Sequence, residues 1–257
     1  MPSLWPREHG AIVQLAFPLV SACALTQGAG ASLALSFAAA LAFLAHEPLL
    51  LLSGARGAKK RELARGPALR RLVSLVSLSA LGVGGALWLA PTASWPSTLL
   101  PLVLGVCALG LALRGRERNV GAEVFVAITL ATTALPVAMM GGATFVAGAS
   151  LSAVWGVGFG VATVAARALV IQKKDAGRGL RLALGAATLA ALALFGAAAL
   201  RLAPLSVALA PVPLLALAVV LAVFPPSPKR MTTVGIGMTV ASLATFALAV
   251  HGLGWTN

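Results

Sequence analysis

Residues 182–223 carry a single charge, Arg201, and similarly long apolar stretches, broken only by short polar ones, fill the rest of the chain. An apolar run of ~18 residues or more is long enough to cross the ~30 Å hydrocarbon layer as a helix. A helix also satisfies its own backbone hydrogen bonds where no water is present. Composition points the same way: 60% of residues are apolar, 10% are charged and the mean hydropathy is +0.98. Soluble domains are about one-quarter charged. The sequence predicts an all-α polytopic membrane protein, a single integral-membrane helical domain over residues 1–257.

Cutting at Gly, Pro and charge clusters gives nine spans, near 10–26, 31–53, 70–90, 97–113, 120–140, 144–171, 180–200, 203–224 and 231–251. Placed on alternate sides, all but Arg201 of the 19 Lys and Arg fall on one side. Basic loops stay in the cytoplasm, which predicts a multi-pass protein of the cytoplasmic (inner) membrane, N-terminus in and C-terminus out. The opposite loops are nearly uncharged and carry Trp88, Trp95 and Trp255, as at an outer interface. The net charge of +13 therefore reads as orientation and attraction to anionic lipid headgroups rather than nucleic-acid binding. Arg7, the apolar stretch after it and Ala22-Cys23-Ala24 resemble a cleaved leader, but Glu8, Gln14 and Pro18 are foreign to one. The expectation is a retained first helix. Cys23 and Cys107 lie in apolar runs and read as packing residues.

Acids are scarce, and all six (Glu8, Glu47, Glu62, Glu117, Glu123 and Asp175) fall at the basic side, as do His9 and His46. Ionisable groups in a span are costly and are functional candidates by default. The sharpest stretch is "FLAHEPLLLLSGARG", residues 43–57, which places His46 and Glu47 about two turns inside the end of the second span. The pair suits proton relay, metal ligation, or a general base with its orienting partner. A buried polar pair locking two helices is the alternative. Arg7, Glu8 and His9 lie at the start of the first span, and Asn119 and Glu123 share a face at the start of the fifth. Either set is an ordinary helix start taken alone. Together they place acids and histidines at one membrane level, predicting a cavity facing the cytoplasm. No nucleotide loop, zinc spacing or nucleophile elbow is present.

Two basic loops echo each other: "KKRELARGPALR" (59–70) and "KKDAGRGLR" (173–181). The echo predicts a parallel four-plus-four helix repeat, residues 1–115 and 116–225, with the helix at 231–251 appended.

"WPREHGA" (5–11), followed after the second span by "HEPLLLLSGARGAKKRE" (46–62), resembles the YwiC-like family of bacterial membrane proteins. The likeness covers roughly the first 65 residues and implies placement rather than an activity. The span count and the polar groups after spans 2 and 6 are also similar to UbiA-type intramembrane prenyltransferases. That family holds magnesium and a prenyl diphosphate on two Asp-rich motifs. The resemblance implies Glu47 and Asp175 as metal ligands, yet two carboxylates make a poor magnesium site, which wants several hard oxygens.

The readings that follow belong to different classes. One is a membrane enzyme or binder of an amphipathic substrate with an anionic head, such as a diphosphate. There His46, Glu47, Glu8 and His9 are the catalytic candidates. The head-binding candidates are Arg7, Arg56, Lys59, Lys60, Arg118, Asn119, Glu123, Lys173 and Lys174. The others are a proton- or cation-coupled transporter and a structural or accessory membrane subunit.

Overall fold

The computed structural model describes residues 9–116, 119–172, 175–201, 203–226 and 231–254. Among them are helices and turns but no strand. The helices are α1 (His9–Leu25), α2 (Gly30–Leu52), α3 (Ala58–Leu89), α4 (Leu99–Leu113), α5 (Val120–Thr132), α6 (Ala134–Met140), α7 (Phe145–Gln172), α8 (Ala176–Ala199), α9 (Leu205–Leu209), α10 (Val212–Val223) and α11 (Met231–Gly254). A 3-10 segment, Thr92–Thr98, leads into α4. Eight stretches are long and apolar enough to cross a membrane, and α1 is a shorter apolar helix beside them. The chain is thus an all-α multi-pass membrane protein.

Two of the expected spans are broken. α5 and α6 meet at Thr133, because Pro136 has no N–H to give the carbonyl of Thr132. The Thr133 hydroxyl instead donates to the carbonyl of Leu130 at 2.6 Å. α9 and α10 are likewise divided just before Pro211.

The centre of the protein is α7, which packs against α5, α6, α8, α10 and α1. Its Trp155 is fully buried, lies 5.3 Å from the ring of Phe17 and 5.0 Å from that of Phe159, and donates Nε1–H to the Ser21 hydroxyl at 3.0 Å. A buried indole needs such an acceptor. Small residues allow the closest approaches, since packing holds membrane helices together where hydrophobic exclusion cannot. A Cβ on Gly158 would stand 2.7 Å from Leu214 of α10.

α2 and α3 form a long antiparallel hairpin. α3 begins at Ala58, twelve residues before the predicted start, and runs for 32 residues. At 1.5 Å per residue that is ~48 Å, well beyond the ~30 Å hydrocarbon layer. The difference has a local cause: residues 58–65 are Ala, Lys, Arg, Glu and Leu, all strong helix formers. Ala64 and Ala68 pack on Leu51, and Ser79 donates to the carbonyl of Ala38 at 2.9 Å. Gly54 and Gly57, with φ of +86° and +102°, supply the left-handed turns at the tip.

This register puts His46 and Glu47 level with Arg71 and Arg70. Counted along α2 alone they lie two turns inside a span; within the hairpin they stand at the level where the charges of α3 begin.

Candidate functional site

The hairpin joins the rest of the protein through the first half of α2. Ser32 donates to the carbonyl of Val137 on α6 at 2.9 Å, and the Ser32 and Thr26 hydroxyls are 2.9 Å apart. The Cys23 thiol and Ser36 hydroxyl are 3.2 Å apart. Gly141 closes this joint: a Cβ there would sit 2.0 Å from the Ser32 hydroxyl. These contacts occupy the end away from the basic loops. Toward the basic end, α2 diverges from the body and leaves a cavity of about 2340 Å³, walled by α1, α2, α3, α4, α5, α6, α7 and α11.

Among the described residues, the pairs Glu47–Arg56 and Glu123–Arg167 line this cavity. On the hairpin, Arg56 donates from Nε and Nη2 to the two carboxylate oxygens of Glu47, at 3.1 and 2.8 Å. The planar fork matches the carboxylate edge to edge, the strongest geometry such a pair has. Glu47 is buried. On the body, Arg167 of α7 donates through Nε and Nη2 to both oxygens of Glu123 on α5, and both side chains are about one-third exposed. His46 and Lys60 line the same space, as does Gln14, whose amide donates to the Thr163 hydroxyl at 3.1 Å. Away from these groups the lining turns apolar: Leu35, Val83, Leu87, Leu102, Leu130 and Phe159.

Of the candidates from sequence, the cavity brings together His46, Glu47, Arg56, Lys60 and Glu123. Asn119 instead caps α5, accepting from the Ala122 amide at 2.7 Å. Asp175 is exposed and caps α8 by accepting from the Arg178 amide at 2.9 Å. Lys59 is exposed on the outside of the hairpin, apart from the cavity lining. His9 opens α1, next to Gly10 and Ala11 of the cavity wall, and is described by its backbone. Arg7, Glu8, Arg118, Lys173 and Lys174 lie outside the described residues. The magnesium site implied by the prenyltransferase likeness does not fit: Arg56 takes both Glu47 oxygens, and Asp175 serves a different helix start. Among the described residues, no group of three His, Cys, Asp or Glu side chains could hold a metal ion.

Sequence reasoning missed Arg167 and Gln14 as site residues. Arg167 was counted only among the orienting charges, and Gln14 only as an interruption of an apolar run. Both are polar groups inside predicted spans, the signal that singled out Glu47.

The model of the YwiC-like protein family matches residues 5–139. That is more than half of the chain, which therefore belongs to this family. The matched segment contains the α2–α3 hairpin with Glu47 and Arg56, and Glu123 of the second pair, while Arg167 lies beyond it. No curated protein and no solved structure matches the chain.

Proposed function

We propose that this protein binds, within the cytoplasmic membrane, an amphipathic molecule with an anionic head, which it holds at the cytoplasmic side. The observation that carries the reading is the polarity of the cavity: two Arg–Glu pairs, His46 and Lys60 at the basic end, and apolar side chains beyond them. Arg56 and Arg167 stand on opposite walls, and guanidinium forks match phosphate and carboxylate oxygens alike. Each already holds a glutamate, so an entering anion exchanges partners with a carboxylate rather than meeting a bare cation. The volume of about 2340 Å³ exceeds the ~300–1,000 Å³ of sites for drug-sized ligands and suits a lipid-sized one. The one-sided basic charge supports the inward orientation.

His46 is the one described histidine in the cavity lining, so it is the group placed to exchange a proton with the bound head. The test is titration of the detergent-solubilised protein with a long-chain alkyl phosphate and with an uncharged alkyl glycoside of equal chain length. The phosphate should bind more tightly. Since a charged hydrogen bond contributes ~1.5–3 kcal/mol, replacing Arg56 and Glu47 together by Gln should weaken it by roughly ten- to hundredfold. Equal affinity for both heads would refute the reading.

A second reading is transport. It is favoured by the joint at Thr26, Ser32 and Gly141, which closes the end of the cavity opposite the basic loops. Uptake of the alkyl phosphate across proteoliposomes, beyond a bound stoichiometry, would select it.

A further inference from the structure

We infer that the cavity is loaded sideways: the slot between α3 and α4 admits the hydrocarbon tail of a membrane lipid while its head is held at the ion pairs. This rests on the proposed function and adds the route and the nature of the ligand's apolar part.

α3 and α4 follow each other in sequence, yet they do not pack along their lengths. α3 lies along α2, and α4 lies along α5. Both nevertheless line the cavity, α3 through Val76, Ala80 and Val83 and α4 through Leu102, Val106 and Leu109. Each set follows i, i+4, i+7 spacing, which gathers one apolar face on each helix. Val76, Leu102 and Val106 belong to the cavity wall and are 50%, 61% and 62% exposed. With no packing between α3 and α4 along their lengths to cover them, such exposed lining residues mark the place where the wall is open.

No charge falls on α3 from Leu72 to its end at Leu89, or on α4, so the aperture lies within membrane-spanning stretches. The medium outside it is lipid chain, and its own walls are apolar. Water filling it would hydrate those walls; a lipid tail covers them. The other edge where lining residues are exposed, Ile236 and Val240 of α11, carries the exposed hydroxyl of Thr239, whereas Ser79 on α3 is buried and bonded to the carbonyl of Ala38. The α3–α4 slot is therefore the route for hydrocarbon.

Gly105 and Gly235 supply matched plugs. Each lines the cavity, and a Cβ on either meets no atom within 4 Å, so a larger side chain enters open space. The full chain is placed in phosphatidylglycerol vesicles doped with a phosphatidylglycerol bearing a photoreactive diazirine near the end of one acyl chain. Labelled residues are then mapped by peptide mass spectrometry. The wild type should be labelled at Leu130 and Phe159, on the far wall, as well as at outward residues such as Leu89. Gly105→Phe should lose the far-wall labels and keep the outward ones, with an unchanged melting temperature, and Gly235→Phe should keep both. Far-wall labels absent from the wild type, or undiminished in both Gly105→Phe and Ala80→Phe, would overturn the inference. The alkyl phosphate titration separates the two claims: phosphate selectivity without far-wall labelling removes the lateral route and leaves the head site standing.

Discussion

Arg56 reaches back from the tip of the α2–α3 hairpin to grip both carboxylate oxygens of Glu47, at 3.1 and 2.8 Å, and so fastens the loop to the helix it follows. Because Glu47 is buried, removing one partner strands the other. Breaking such a pair costs about 3–5 kcal/mol, whereas replacing both partners by neutral groups costs far less. Glu47→Ala should therefore lower the thermal unfolding temperature sharply, and Glu47→Gln with Arg56→Gln should recover most of the loss. Additive losses in the double variant would show that the two residues act independently.

The second pair should behave differently. Glu123 and Arg167 are both about one-third exposed, and exposed pairs contribute ~0–1 kcal/mol. Glu123→Gln is expected to leave the unfolding temperature nearly unchanged, while strengthening the preference for an anionic head, because Arg167 then has no carboxylate to give up. A stability loss matching that of Glu47→Ala would place this pair in the structural framework instead.

Gly141 tests the joint between hairpin and body. A methyl group there would overlap the Ser32 hydroxyl at 2.0 Å and Thr26 at 2.5 Å, and overpacking of this kind costs ~1–3 kcal/mol. Gly141→Ala should destabilise the protein. Gly105→Ala, within α4 and facing open space, should be neutral or stabilising by up to ~1 kcal/mol. The comparison is read from melting curves in one detergent; equal effects would contradict the tight joint.

Trp155 separates packing from hydrogen bonding in the core. Trp155→Phe keeps an aromatic ring between Phe17 and Phe159 and loses the bond to Ser21, a net change of ~0.5–1.5 kcal/mol. Trp155→Ala empties the site and should cost ~3–5 kcal/mol. Thermal unfolding of both should rank them in that order, and a reversed order would mean the indole bond outweighs the packing.

The membrane class and the number of apolar helices were legible because a span is set by length and hydropathy alone. The start of α3 was not: the charges of residues 59–65 mark the end of the hydrocarbon region, but their helix propensity carries the helix on through it. Glu47 and Glu123 stood out as acids in or beside apolar runs, and both line the cavity. Their partners did not stand out. Arg56 stands out only as one of several head-binding candidates in a basic loop, and Arg167 only as an orienting charge, until the hairpin tip folds back on α2 and α7 packs on α5. The placing of His46 and Glu47 level with Arg71 and Arg70 was not legible for the same reason, since it depends on the register of α2 against α3. Asp175 shows the converse: its rarity drew attention, and its position is that of a helix cap.

The central claim is that the two walls of the cavity hold an anionic head through Arg56 and Arg167. The most direct measurement is the lipid retained by protein purified from membranes in mild detergent, quantified by headgroup, for the wild type and for Arg56→Gln with Arg167→Gln. The account predicts a tightly retained anionic amphiphile in the wild type and its loss from the double variant, with annular lipids unchanged. Identical headgroup profiles in the two proteins would contradict it.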